Sequence, residues 1–387
     1  MSFDLGRVPP VTFGAGRMAE VPEIVAALGG GPALVVADAF LADIGVTARL
    51  ASSLQTAGIG CEIAAEIAGE PNEALIDSLS ARARAEGVSA VIGLGGGAAM
   101  DAAKLVAAIA PSGAAARTFA LGAAPWPTTG LPAIAIPTTA GTGSEVTRTS
   151  IVSTASGAKN WYFGEELMFA HAVLDPSLSL TLPPHLTAWT GVDAVAHALE
   201  AVTARKSNAA GRLYGLEALR ILAGALPRAV ADGADIEARG EVLWASMLAG
   251  LALHNCNTHM GHNVSHALGS LSRIHHGLAT GLALEVTLPW LVARPAGAGR
   301  YALAAEALGG ARRAEDLPRA FETLTRSCGI SRMLPSTCAS ITSDDLAAAM
   351  KSPANRSMSQ NAPCPVEDED LDDIAAMMMC LPLAEAA

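Results

Sequence analysis

The fold is decided by one stretch, SAVIGLGGGAAMDAAK at residues 89–104. It begins with a short apolar run, continues through three consecutive glycines and ends in an alanine-rich segment. This order of buried strand, glycine turn and helix is typical of a phosphate site, because glycines let the backbone approach an anion and free N–H groups at the helix start point towards it. The glycines are too closely spaced for the strict dinucleotide fingerprint, so tight packing alone is the other interpretation of this turn.

Similar strand-like runs lie on either side of this stretch. Residues 33–37 and 131–136 are continuous apolar runs bounded by turn residues, which is typical of buried parallel strands. Helix-like segments separate these runs. The sequence therefore predicts a Rossmann-like parallel sheet with helices on both faces, a dinucleotide-binding α/β domain over residues 1–180. Strand patterns disappear from Pro184 onward, so residues 181–387 are predicted to form an all-helical domain.

Polar residues and glycines follow three of the predicted strands. Asp38 ends one strand, Gly95–Gly97 follow another, and the loop PTTAGTGSEVT follows the third at residues 137–147. Because parallel sheets bind ligands at the carboxyl ends of their strands, we expect these loops to bind a dinucleotide. A carboxylate of Asp38 at the adenosine ribose would repel a 2′-phosphate, which favours NAD over NADP. Alternatively, Asp38 caps the following helix and the hydroxyl-rich loop is an ordinary solvated turn.

Histidines are concentrated in the second half, where six of the nine lie within residues 254–276. Residues four apart in a helix share one face. His262 and His266 have that spacing, and so do Asp193 and His197. One carboxylate and three imidazoles suit Fe(II) or Zn(II). The candidate ligands are Asp193, His197, His262 and His276. On spacing alone His275 could replace His276, and any single histidine could instead be a buried, hydrogen-bonded core residue.

Composition limits the class of function. The chain has 387 residues and a net charge of −12, which argues against a nucleic-acid surface. The longest nearly apolar run, residues 242–253, is too short to span a bilayer, so no membrane association is expected. The six cysteines form no C-x-x-C pair and the start of the chain has no signal-peptide apolar region. We therefore expect reduced thiols and a cytoplasmic location.

Four motifs together identify a family. They are GGGxxxDxxK at 95–104, PTTxGTGSE at 137–145, GxDAxxHAxE at 191–200, and HxxxHxLG at 262–269 followed by His276-Gly277. With these motifs the chain resembles the iron-containing alcohol dehydrogenases over nearly its whole length. The resemblance implies a dehydroquinate synthase-like architecture, hydride transfer between NAD and a small alcohol, aldehyde or ketone, and a homodimer or larger homo-oligomer. The alternative functions are a maleylacetate reductase-like enzyme and a dehydroquinate synthase-like lyase, whose substrates would need more basic residues.

The resemblance also implies roles for individual residues. The four candidate ligands would bind Fe(II), with Zn(II) as the alternative, and His276 rather than its neighbour would complete the set. His266 would border nicotinamide and substrate and transfer a proton, with His275 as the second candidate. The cofactor would be held by Asp38, Asn72, Gly95, Gly96, Gly97, Asp101, Thr138, Thr139, Thr142, Ser144 and Lys159. The chain has Ala98 where the family usually has serine and His275 where it usually has proline, and the further His254 and His259 either tune proton transfer or lie at the surface.

Overall fold

The computed structural model describes residues 2–154 and 159–384. Over these residues the chain forms two compact units. The first comprises Arg7–Thr139 and Gly143–Ser179, and the second comprises the residues up to Gly6, Ala140–Thr142 and the chain from Leu180 on. The sequence predicted a single boundary at 180 and did not predict that these two short segments belong to the second unit.

The first unit is built on the predicted parallel sheet. Over the described residues its strands are β1 (Val11–Phe13), β2 (Ala33–Asp38), β3 (Cys61–Ile67), β4 (Ala90–Gly95), β5 (Ala133–Pro137), β6 (Thr149–Ser153), β7 (Lys159–Phe163) and β8 (His171–Leu174). Six of these form one sheet in the order β1-β8-β5-β4-β2-β3, in which every pair is parallel. The remaining two, β6 and β7, form an antiparallel hairpin that the apolar pattern of the sequence did not predict.

The helices of the first unit alternate with the sheet strands. Over the described residues they are α1 (Val21–Ala27), α2 (Ala39–Asp43), α3 (Val46–Thr56), α4 (Glu73–Ala85) and α5 (Gly97–Ile109). Successive residues of β2 point to opposite faces, so Leu34 and Val36 join one hydrophobic cluster while Val35 and Ala37 join the other. All four are fully buried. Burial on both faces explains why this strand is a continuous apolar run rather than an alternating one.

The second unit is helical, as predicted. Its helices over the described residues are α6 (Pro184–Thr203), α7 (Ala209–Ala231), α8 (Ile236–Cys256), α9 (Met260–Leu271), α10 (His276–Val292), α11 (Ala298–Ala307), α12 (Leu317–Ser327), α13 (Ser343–Met350), α14 (Pro353–Ser359) and α15 (Asp368–Met379). None of these helices is both long and apolar enough to cross a lipid bilayer. Helices α8 and α9 are separate because Asn257 ends α8 with φ 58°, a left-handed value that interrupts the helix.

Candidate metal centre and nucleotide loops

Helix α6 presents three ionisable side chains at positions i, i+4 and i+7, which lie along one helix face. They are Asp193, His197 and Glu200, and each is at most 6% exposed. Buried charged groups require compensating partners. In the second unit these partners come from Gly141, from His259 and helix α9, and from the first residue of α10.

A compact group of possible metal ligands lies on this face. Over the described residues, Asp193, His262 and His276 each place one ligand atom within 4.8 Å of the others. Oδ1 of Asp193 is 3.7 Å from Nε2 of His262 and 3.5 Å from Nε2 of His276. Two ligand atoms bound about 2.1 Å from one ion at right-angled to tetrahedral geometry are about 3.0–3.4 Å apart, so the group fits a divalent ion after a small contraction.

Two acceptor atoms of the group, one on a carboxylate and one on an imidazole, have no partner among the described residues. Oδ1 of Asp193 and Nε2 of His262 are both buried, and neither has a hydrogen-bond partner among the residues that the structure describes. A carboxylate oxygen can only accept a hydrogen bond, and an imidazole nitrogen without a proton can only accept as well. Two buried acceptors facing each other are unfavourable unless a positive charge lies between them.

Hydrogen bonds fix which ring nitrogen two of the histidines present. Nδ1 of His262 lies 2.6 Å from Oε2 of Glu200, and Nδ1 of His197 lies 3.1 Å from the carbonyl oxygen of Gly141. Because both oxygens are acceptors, each Nδ1 carries the proton and donates it. In the neutral ring this leaves a lone pair on each Nε2, which is the arrangement found in metal-ligating histidines.

The other predicted histidines lie around this group. The rings of His197 and His262 are stacked with centroids 4.6 Å apart, although His197 is outside the three-residue group within the described chain. The ring of His266 lies 4.9 Å from that of His276 and so borders the group. His275 lies at the N-cap of α10, where its Nδ1 accepts a hydrogen bond of 3.2 Å from the N–H of Gly277. Of the two neighbouring histidines, it is His276 that joins the group.

His259 is fully buried, so the surface interpretation of this residue is wrong. Its Nε2 lies 2.9 Å from Oγ1 of Thr203 and its Nδ1 lies 3.3 Å from Oε1 of Glu200. Burial alone would raise the pKa of Glu200, but the nearby His259 and His262 lower the pKa to about 2. The carboxylate is therefore ionised inside the helical unit.

The first two glycines of the turn in the first unit differ in the space around them: a side chain would clash at Gly95 but not at Gly96. At Gly95, where φ is 151°, a Cβ would lie 2.5 Å from Oδ2 of Asp38, so close packing requires glycine there. At Gly96, the nearest atom to a Cβ would be Oγ1 of Thr139 at 3.5 Å, which is ordinary contact. Packing thus explains the first glycine of the run but not the second. Helix α5 begins at Gly97, directly after the turn.

Asp38 bonds to this turn and not to the helix that follows it. Its Oδ2 accepts a hydrogen bond of 2.8 Å from the N–H of Gly96, and it makes no capping hydrogen bond to α2. Burial raises the pKa of Asp38, and the hydrogen bond from Gly96 opposes that effect. The capping alternative for Asp38 is therefore wrong.

Asp101 ties the hydroxyl-rich loop to the β6–β7 hairpin. One carboxylate oxygen accepts from Oγ of Ser144 at 2.6 Å and the other accepts from the N–H of Ile151 at 2.9 Å. Nζ of the buried Lys104 lies 3.8 Å from Asp101 and donates to the carbonyl oxygen of Thr149 at 2.7 Å. Both carboxylate oxygens of Asp101 thus accept hydrogen bonds from protein groups, and contact of Asp101 or Ser144 with a cofactor remains a prediction.

The remaining predicted cofactor residues have the following places. The N–H of Thr138 donates to the carbonyl oxygen of Gly95 at 3.0 Å. Asn72 caps α4 by accepting from the N–H of Leu75 at 2.9 Å, and Nζ of Lys159 lies 3.2 Å from Glu70. Thr142 belongs to the segment Ala140–Thr142 of the second unit. Contact of these residues with a cofactor remains a prediction.

Comparison with known proteins gives matches over both units. The model of the iron-containing alcohol dehydrogenase family matches residues 9–176, and that of the Fe-containing alcohol dehydrogenase family, C-terminal, matches residues 187–379. The chain is 30% identical to an NAD-dependent methanol dehydrogenase of Bacillus methanolicus, covering 78% of this chain and 79% of the relative. It is 33% identical to a sulfoacetaldehyde reductase of Bilophila wadsworthia, covering 80% of each.

A solved structure is similar over the whole chain. The sulfoacetaldehyde reductase of Bifidobacterium kashiwanohense, crystallised in complex with NAD+, superposes with a TM-score of 0.90 at 28% identity. The superposition covers 98% of this chain and 99% of the other. Both units therefore have counterparts in a single solved protein.

Proposed function

The chain belongs to the iron-containing alcohol dehydrogenase family, and we propose which of its residues bind the metal, the cofactor and the substrate proton. As a member of this family it is a metal-dependent oxidoreductase, which transfers hydride between a nicotinamide cofactor and a small alcohol, aldehyde or ketone. The proposed metal ligands are Asp193, His197, His262 and His276. Fe(II) is the proposed metal and Zn(II) is the alternative, since both accept one carboxylate and three imidazoles.

One observation carries this proposal. Oδ1 of Asp193 and Nε2 of His262 are buried 3.7 Å apart, and within the described part of the chain neither has a hydrogen-bond partner. A divalent cation between them would satisfy both atoms and offset the cost of burying the carboxylate. His197 supports the proposal, because its Nδ1 is engaged by Gly141 and its Nε2 remains for ligation.

A metal ion and a nicotinamide cofactor would supply the reactive chemistry, and residues of the chain would orient them. When bound, a divalent metal supplies Lewis acidity, which polarises a carbonyl group and lowers the pKa of an alcohol. When bound, the nicotinamide ring supplies or accepts the hydride. Asp193, His197, His262 and His276 would hold the metal. His266, whose ring borders that of His276, is the proposed residue to hold or pass on the alcohol proton, and His275 is the second candidate.

The proposed nucleotide site is the glycine turn and the loop that follows β5. The N–H groups at the start of α5 are suited to a diphosphate, and the steric freedom at Gly96 supports close approach of an anion. Asp38 is the proposed partner of the adenosine ribose and the reason for preferring NAD to NADP. Asp101 and Ser144 are proposed to act by holding the loop, since their side chains bond to each other.

A panel of carbonyl substrates tests the function. Relatives of this chain are named for methanol and for sulfoacetaldehyde, so the panel contains neutral and anionic aldehydes. NADH oxidation is measured with the protein as purified, after chelation, and after adding back Fe(II) or Zn(II). We expect activity to disappear on chelation and to return more fully with Fe(II). Undiminished turnover by a chain shown to be free of metal would contradict the proposed centre.

Two broader expectations remain proposals. Assembly into a homodimer or a larger homo-oligomer is expected from the family and is tested by light scattering of the full chain. A cytoplasmic location is tested by fractionation of cells that express the untagged chain.

A further inference from the structure

Glu200 has no assigned role in the reaction, yet its carboxylate is completely buried beside the candidate metal ligands. It lies on α6 seven residues after Asp193, so the two carboxylates share one helix face. An ionised carboxylate at such a position is costly unless it accepts several hydrogen bonds.

The hydrogen bonds to Glu200 all come from one short segment at the start of α9. Oε1 accepts from the N–H of Gly261 at 2.6 Å, and Oε2 accepts from the N–H groups of His259 at 3.1 Å and His262 at 3.4 Å. Oε2 also accepts from Nδ1 of His262 at 2.6 Å. Backbone N–H groups can only donate, and they face both oxygens of Glu200. A carboxylate has an acceptor at both positions, whereas an amide has an acceptor at only one.

We propose that Glu200 is a positioning residue of the metal centre, which holds His262 in the tautomer with the proton on Nδ1 and aims Nε2 at the metal. The proposal rests on the proposed metal site. The backbone hydrogen bonds anchor the carboxylate, and the anchored carboxylate then selects the ring nitrogen that stays unprotonated. Without this acceptor, the proton of His262 could move to Nε2, which would oppose the ligation.

The variant Glu200→Gln tests this role with almost no change in volume. In either orientation its amide NH₂ faces a backbone N–H, and when it lies towards His262 it donates to Nδ1 and favours the wrong tautomer. The matched control is Glu285→Gln on α10, which changes a carboxylate that is 6% exposed and accepts from Oγ1 of Thr325 at 2.7 Å. Both variants lose one buried negative charge in the same unit.

Metal affinity is measured on the metal-free full chain by competition of Zn(II) with a chromophoric chelator. Loss of an orienting partner typically weakens metal binding about 10–100-fold, and we expect a change of that size for Glu200→Gln. We expect the Glu285→Gln control to stay within about threefold of the unmodified chain, because Glu285 follows His276 by nine residues on α10, about 13 Å along the helix axis. The d–d absorption of the Co(II)-substituted protein should change in Glu200→Gln and not in the control.

The variant His262→Ala separates failure of this inference from failure of the proposed function. If His262→Ala binds Zn(II) as tightly as the unmodified chain, the proposed metal site is wrong. If His262→Ala loses the metal while Glu200→Gln keeps both the affinity and the Co(II) spectrum, the metal site stands and the positioning role is refuted.

A second measurement applies even if Glu200→Gln does not fold. Nitrogen NMR of the metal-free unmodified chain, labelled at histidine and assigned by comparison with His262→Asn, reports the tautomer of His262 directly. The spectra are recorded at a pH at which the imidazole of His262 is neutral, and we expect the single proton on Nδ1 and none on Nε2. A neutral ring with its single proton on Nε2 would overturn the proposal.

Discussion

Glu145 offers a test of the structure that does not depend on the metal site. It lies in the loop after β5, is 2% exposed, and its Oε1 has no hydrogen-bond partner in residues 2–154 and 159–384. Burial raises the pKa of Glu145 from its ordinary 4.5 to about 7, and the nearby Lys104 opposes that effect. The variant Glu145→Gln replaces the carboxyl group with a neutral group of the same size.

The magnitude follows from the pKa. Between pH 4.5 and 7 the folded protein holds a proton on Glu145 that the unfolded chain has released, so this residue lowers stability progressively as the pH rises through that window. At about 1.4 kcal/mol for each pH unit, the full effect is about 3 kcal/mol. Glutamine does not titrate, so Glu145→Gln should match the unmodified chain at pH 4 and exceed its stability by up to about 3 kcal/mol at pH 7.5.

Urea unfolding followed by circular dichroism measures this difference at several pH values. The series stops at about pH 7.5, since burial lowers the pKa of Lys104 to about 8 and its own titration would otherwise contribute. Glu23→Gln, which removes an exposed carboxylate of α1, controls for the loss of one negative charge. If the difference between Glu145→Gln and the unmodified chain is the same at every pH, the assigned burial of this carboxyl group is wrong.

Three further outcomes are expected. His262→Ala should lose bound metal and turnover while retaining NADH binding, measured by metal analysis and by fluorescence titration; retained metal would contradict the ligand assignment. Gly277→Ala would place a Cβ 2.1 Å from the carbonyl oxygen of Trp189, so it should cost about 1–3 kcal/mol in urea unfolding, and an unchanged midpoint would show that the helices separate easily. Asp38→Asn removes the charge beside the N–H of Gly96 and should narrow the preference for NADH over NADPH about tenfold in kcat/KM; an unchanged ratio would remove Asp38 from the ribose site.

The strands of the parallel sheet were predictable because they are continuous apolar runs. The β6–β7 hairpin was not, because the alternation of buried and exposed positions in β6 is not matched by an alternation of apolar and polar residues. Residues of β2 are apolar on both faces because both faces are buried. In β6 the buried positions alternate, but one of them is Ser150, which is fully buried because its Oγ donates to the carbonyl oxygen of Asp101 at 2.9 Å. A polar residue satisfied by a distant backbone group has no pattern that local sequence could reveal.

Helix spacing predicted the neighbourhood of the metal site but not the function of each member. The interval of four residues correctly indicated that His262 and His266 share a helix face, since both lie on α9. Which of them points towards Asp193 depends on how α9 meets α6, and that contact is set by the backbone break at Asn257. The distance of 3.7 Å between Asp193 and His262 therefore depends on the packing of two helices. Spacing along the sequence predicts only which residues are candidate ligands.

Glu200 shows the same limit at a residue whose position in the motif was plain. Asp193, His197 and Glu200 follow one another along a single face of α6, and nothing in their spacing separates a ligand from an orienting group. The separation comes from the backbone at the start of α9, whose N–H groups saturate the carboxylate of Glu200 and leave that of Asp193 with an unpartnered oxygen. A carboxylate whose oxygens already accept hydrogen bonds is a poor metal ligand, whereas one with an unpartnered oxygen beside the unpartnered Nε2 of His262 attracts a cation. The two carboxylates thus differ in function because of the donors they meet, although helix geometry presents them alike.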